Sequence, residues 1–148
     1  MARTHFSVAD VEAMIPALER IFTDLLQLRA GMRAVEEKLD RASAKGKRDS
    51  QPADDATSSP EIRQARAVLR GLHEALTDEL ERVRGMGGQI KDIETGLVDF
   101  PGRRGGDDIL LCWKLGEKQI RFWHTVEGGF ASRRPIDEQI ARAPQRLD

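Results

Sequence analysis

Between Val11 and Leu39, nine apolar residues (Val11, Met14, Leu18, Ile21, Leu25, Leu28, Met32, Val35 and Leu39) alternate steps of three and four. That rhythm is a heptad seam, and an α-helix is what gathers such positions on one face. Ser7 is placed as its N-cap, with Asp10 as the short acidic partner of a capping box and Phe6 and Val11 as a hydrophobic staple. The helix is predicted over 7–44, roughly 55 Å at 1.5 Å per residue. A small domain is narrower than that, so part of the helix is expected to project. Pro16 lies inside it and is expected to kink or interrupt it.

A second helix is predicted over 59–85. Ser59 is its cap, Pro60 opens its first turn, and Ile62, Ala65, Leu69, Leu72, Leu76, Leu80 and Val83 form its ladder. Residues 45–58 hold one Gly, one Pro and no large apolar side chain, which reads as a flexible loop. Two seams joined this way fold back antiparallel. Ile15 and Phe22 broaden the apolar face of the first half of helix one. That half is expected to pack on the sheet, leaving the narrow-seamed half as an arm. Folding about residue 51 brings Gly31 and Gly71 to nearly the same level. A bare two-helix arm is marginally stable, so a dimer or larger homo-oligomer is expected.

After Gly87 the period changes. Residues 89–93 and 96–100 read as short strands, and Pro101-Gly102-Arg103-Arg104-Gly105-Gly106 as a turn-rich break. Residues 109–115 and 119–126 read as a hairpin around Gly116-Glu117-Lys118. Setting Lys114 opposite Gln119 aligns Leu111 with Phe122 and Ile109 with His124. Ile109, Leu111, Trp113, Ile120, Phe122 and His124 then form a core face, and Cys112 falls on the opposite side with Trp123. The fold class is therefore α+β: a long antiparallel, coiled-coil-like two-helix hairpin packed on a small antiparallel β-sheet of three to four strands. All 148 residues are read as one domain, with the sheet region at 87–136 and a tail at 137–148. The tail has helical spacing at Ile136 and Ile140 before Pro144.

Composition narrows the function more than it names it. Net charge is −1, from 24 basic and 25 acidic residues, so no global field draws the chain to nucleic acid or a membrane. The few aromatics are expected in the core rather than on a base-stacking platform. No stretch approaches the roughly 18 apolar residues of a bilayer span, and the N-terminus shows no apolar run of signal-peptide length. Cys112 is the only cysteine, which suits a reducing cytoplasm.

Several blocks carry a family resemblance. They are Phe6 to Pro16, Lys91-Asp92, Gly96-Leu97-Val98-Asp99-Phe100-Pro101, Leu111 to Glu117, Trp123-His124, and Gly129-Phe130 followed by Arg133, Arg134 and Pro135. Together they resemble the prokaryotic domain-of-unknown-function family DUF2203. The resemblance implies a small bacterial cytosolic protein and brings no activity, substrate or catalytic residue with it.

The residues capable of chemistry cluster in the C-terminal half. Cys112, His124 and the carboxylates Asp92, Asp99 and Glu127 are of metal-ligand type, but their spacing fits no zinc signature. The expected register also separates Cys112 from His124, and only a one-residue bulge would reunite them. No metal or cofactor is expected on this reading, and thiolate catalysis by Cys112 is opposed by the same register. Arg103, Arg104, Arg121, Arg133 and Arg134 could line an anion site, with Asp107, Asp108 and Glu127 as competing internal partners. The leading expectation is a non-enzymatic interaction or scaffold module that self-associates, with an outward Leu26 and Trp123 as surfaces for a protein partner. The alternative is a small-ligand, anion or metal-binding protein, conceivably an enzyme, with its site at Asp99, Cys112, His124, Glu127 and Arg133.

Overall fold

A computed structural model of the chain describes residues 5–48 and 59–143. Two helices, α1 (Val8–Arg48) and α2 (Pro60–Gly85), precede an antiparallel sheet of five strands. These are β1 (Gln89–Asp92), β2 (Leu97–Arg104), β3 (Asp107–Lys114), β4 (Phe122–Thr125) and β5 (Arg134–Pro135), lying side by side in chain order. The protein is α+β as expected, with one strand more than the three or four anticipated. Most of the link expected at 45–58 and the end of the tail, including Pro144, lie outside the described residues. Among the described residues no helix is long and apolar enough to cross a membrane.

The helix ends follow from the sequence. The Ser7 amide donates to Asp10 Oδ2 at 2.9 Å and the Asp10 amide to Ser7 Oγ at 3.1 Å, a reciprocal capping box with Asp in place of Glu. At the head of α2 the Ile62 amide donates to Ser59 Oγ. At its end Gly87 takes a φ of +96, its amide bonds the Arg84 carbonyl, and the Gly88 amide reaches back to Val83. That is a Schellman stop, which favours glycine at the left-handed position. α1 runs four residues further than expected and Pro16 does not interrupt it. Pro16 is exposed, so the carbonyl it deprives of a partner lies on the watered side of the helix.

The chain divides into two compact units, Met1–Thr23 with Leu80–Asp148 and Asp24–Glu79. In the first, the opening turns of α1 bury Val11, Ile15, Leu18 and Phe22. Phe22 meets Trp113 of β3 with ring centroids 5.8 Å apart, and Phe6 stands edge-on to Phe100 of β2 at 5.7 Å. The broad half of the apolar stripe thus packs on the sheet, as its width demanded. In the second unit Leu25, Met32 and Ala65 are buried, while Leu28, Val35, Leu39, Ile62, Leu69, Leu72 and Leu76 stay half-exposed. A Cβ on Gly31 would lie 3.5 Å from the Leu72 side chain, whereas one on Gly71 would meet nothing within 4 Å among the described residues. The two glycines do not form a shared close approach.

Two expectations for the sheet are corrected. Pro101-Gly102 does not break the chain: β2 continues through them to Arg104 and turns on Gly105-Gly106, with Gly105 at φ +60. Pro101 is tolerated because β1 pairs no further along β2 than Asp99. Its missing donor therefore faces an edge, where its carbonyl accepts from the Phe6 amide at 2.8 Å. The tail, expected to be helical at Ile136–Ile140, is instead irregular. Ile140 is buried and bridges to Arg104, and the carbonyls of Ala141 and Arg142 accept from the Val8 and Ala9 amides. Those are first-turn donors of α1, which no intrahelical carbonyl can satisfy.

Candidate functional site

The site begins with a register. β3 and β4 pair Ile109 with Thr125, Leu110 with His124, Leu111 with Trp123 and Cys112 with Phe122. This is one residue from the expected alignment, and a one-residue change exchanges the faces of β4. Trp123 turns to the helix-covered core, 5% exposed, instead of offering a partner surface. Phe122 and His124 turn to the outer face with Leu110 and Cys112. On β2, Asp99 pairs with Cys112 and shares that face. The separation of Cys112 from His124 is thereby overturned.

The cause lies in the β3–β4 connection, which holds seven residues rather than three. The Glu117 carboxylate accepts the Lys114 amide at 2.7 Å, and Trp113 Nε1 donates to the Glu117 carbonyl at 3.0 Å. The Ile120 amide is taken by Glu12 of α1 at 3.0 Å. These bonds draw residues 115–121 out of the ladder. A local signal did exist: only an even register sum puts both tryptophans on the apolar face.

Asp99, Cys112 and His124 are 2%, 1% and 2% exposed. One carboxylate oxygen, the thiol sulfur and one imidazole nitrogen all lie within 4.8 Å of one another. His124 Nε2 is 3.0 Å from Asp99 Oδ2, and Nδ1 is 2.8 Å from the Thr125 carbonyl. A carbonyl only accepts, so Nδ1 carries a proton and Nε2 is the nitrogen turned toward Asp99 and Cys112. Burial pushes the Cys112 thiol up to about 12, the neighbouring Asp99 carboxylate adds to the shift, and the Arg133 guanidinium opposes it. A thiol so held is a poor nucleophile.

The three side chains line a cleft of about 210 Å³ on the outer face. Leu97 and Leu110 supply apolar wall, and Gly128 lets the chain after β4 pass closely. A Cβ on Gly128 would run into Ser132 Oγ and Thr125 Oγ1. Val126 and Phe130 form an apolar rim, 55% and 44% exposed. Lys91 also lines the cleft, and it is the extra residue of a bulge between the Ile90–Val98 and Asp92–Leu97 pairs. Such a bulge re-aims the side chain it inserts.

Two of the expected site residues do not join the other three. Glu127 is exposed and does not line the cleft. Arg133 is bound elsewhere: Nη2 bonds both Glu117 oxygens at 2.8 and 2.9 Å, and the guanidinium lies over Phe122 at 4.2 Å and Phe130 at 4.8 Å. It positions the segment after β4 rather than facing the cleft. Asp92 is used in a turn, accepting from the Glu94 amide and Thr95 Oγ1. Arg103 and Arg104 pair with Asp108 and Asp137. Lys91, Leu97, Leu110, Val126 and the Gly128–Phe130 segment were not foreseen as lining.

The chain belongs to the family of uncharacterized conserved proteins DUF2203, matched over residues 4–136, which takes in all of this site. No curated protein and no solved structure matches it.

Proposed function

We propose that this member of the family is a non-enzymatic small-ligand-binding protein whose site is the cleft on the outer face of the sheet. One observation carries the reading: three polar side chains, almost fully buried, converge on a cleft open to solvent. Sheet stability alone asks for apolar residues on a buried face, because burying polar groups costs free energy even when they are paired. A concave, largely apolar wall with a few convergent polar groups is the usual form of a ligand pocket. Binding is preferred to nucleophilic catalysis because Cys112 is held as a thiol. A free thiol also fits a reducing, cytoplasmic setting.

Gly129 gives the test, since a Cβ there meets nothing within 4 Å. Gly129→Leu sets a branched side chain at a cleft-lining position where its Cβ crowds no described neighbour. Native mass spectrometry of protein purified from cells is expected to show a bound ion or small molecule in wild type and none in Gly129→Leu. Adduct-free spectra for both, from intact folded protein, would count against the reading.

A second reading, self-association through the helical hairpin, is supported by the half-exposed seam of the Asp24–Glu79 unit and by Val68, 46% exposed on α2. A second copy covering that seam would bury it. Sedimentation equilibrium is expected to give a dimer, and a monomer at all concentrations would remove this reading.

A further inference from the structure

We propose that Asp99, Cys112 and His124 form a binding site for a divalent transition metal of the zinc class, through Asp99 Oδ, Cys112 Sγ and His124 Nε2. The proposal rests on the ligand-binding reading of the same cleft and names what it binds.

The donor set comes first. Carboxylate oxygen, thiolate sulfur and imidazole nitrogen are the three protein donors of zinc, and here one of each faces the same point. With bonds of about 2.0 to 2.3 Å, donors around a tetrahedral ion lie roughly 3.3 to 3.8 Å apart. Donor atoms within 4.8 Å of one another need only small side-chain adjustments to reach that spacing. Magnesium and calcium are disfavoured, because they take oxygen ligands and would leave the sulfur unused.

The histidine supplies an independent argument. A metal-bound imidazole normally gives its other ring N–H to a carbonyl or carboxylate, which fixes the tautomer and aims the free nitrogen. His124 already has this arrangement, with Nδ1 on the Thr125 carbonyl at 2.8 Å and Nε2 turned to the other two donors. Thr125 is itself fixed, since its Oγ1 accepts the Gly128 amide at 3.0 Å. Ring orientation is therefore set by the β4 backbone, independent of any ion.

Charge favours a dication. Coordination displaces the proton on Cys112 Sγ and the proton shared between His124 and Asp99 to solvent. Thiolate and carboxylate then balance two positive charges, leaving a buried site neutral. Three protein ligands leave a fourth position, which the cleft exposes to water or to a small molecule. That open position is where a small molecule in the cleft reaches the ion.

Cobalt(II) is the probe, because a cobalt–thiolate bond gives an intense near-ultraviolet charge-transfer band. Titrating the full, metal-stripped chain under anaerobic conditions is expected to develop that band with one cobalt per chain and to lose it on adding zinc. Cys112→Ser is expected to abolish the band. His124→Ala and Asp99→Ala are expected to weaken cobalt binding by more than about a hundredfold, beyond the loss of a merely supporting bond. Glu127→Ala, exposed and away from the cleft, is expected to match wild type. If a variant fails to fold, the band in wild type alone still decides whether Cys112 is a ligand. Cobalt binding without the band, or no cobalt binding, overturns the metal proposal. If metal fails while a cell-derived molecule is retained by wild type and lost in Gly129→Leu, the cleft reading stands with a different occupant. If nothing is retained either, both fall.

Discussion

His124 and Asp99 stand two strands apart and still meet, Nε2 to Oδ2 at 3.0 Å, with each side chain 3% exposed. β3 lies between them, with Leu110 paired to His124 and Cys112 paired to Asp99. Buried polar pairs of this kind are unforgiving, because removing one partner leaves the other buried with its charge or dipole uncompensated. Asp99→Ala in the metal-free protein is expected to lower stability by roughly 3–5 kcal/mol. His124→Ala should cost a similar amount, and the double variant less than the sum. Urea unfolding of the four proteins measures this; additive losses would mean the pair is not coupled.

The Cys112 thiol gives an alkaline signature. Burial first, and then the Asp99 carboxylate, push it up from the ordinary thiol value of 9.0 to about 12. The stabilisation tied to the neutral thiol is complete below pH 9 and is lost as pH rises from there toward 12, because the unfolded chain releases its proton first. Wild type is expected to lose stability relative to Cys112→Ala across that window, by at most about 1.4 kcal/mol per pH unit. The two proteins share every other ionisable side chain, and the chain has no tyrosine. A pH-independent difference would show that Cys112 titrates normally.

Arg133 is expected to act through packing. Its guanidinium lies over both Phe122 and Phe130, and its Nη2 donates to both oxygens of Glu117, which in turn holds the β3–β4 connection. Arg133→Ala should destabilise by about 2–3 kcal/mol. Arg133→Lys should recover little, because an ammonium cannot lay a planar face on the Phe122 and Phe130 rings as the guanidinium does. Thermal unfolding of the pair distinguishes this from a surface charge, for which lysine would restore stability.

Gly87 offers a backbone test. At φ +96, and with the Phe6 ring occupying the place of a Cβ, Gly87→Ala strains the helix stop and displaces the staple together. The expected loss is about 2 kcal/mol or more, against about 1 kcal/mol for an ordinary C-cap exchange. Gly71→Ala, in open space within α2, should instead stabilise by roughly 1 kcal/mol. Equal effects at the two positions would contradict the Schellman geometry.

What could be read in the sequence is what is written locally. The Ser7–Asp10 and Ser59 caps, the seams of α1 and α2 and the broad stripe around Ile15 and Phe22 all depend on neighbours within a few residues, and the structure keeps each of them. The face of β4 depends on bonds from Glu12 and Arg133 to the β3–β4 connection, partners far away in the chain. Local alternation therefore placed His124 in the core and Cys112 across the sheet from it. Asp99, Cys112 and His124 were recognisable as donors by type. Glu127 and Arg133 were recognisable only as charges, and a charge near a site in sequence says little about whether solvent or an internal partner will take it.

The most direct test of the proposed centre is X-ray absorption at the zinc edge of zinc-loaded wild-type protein. The account expects one sulfur at about 2.3 Å with nitrogen and oxygen neighbours at about 2.0 to 2.2 Å, and loss of the sulfur shell in Cys112→Ser. A first shell of nitrogen and oxygen alone in wild type, or no zinc retained to measure, would contradict it.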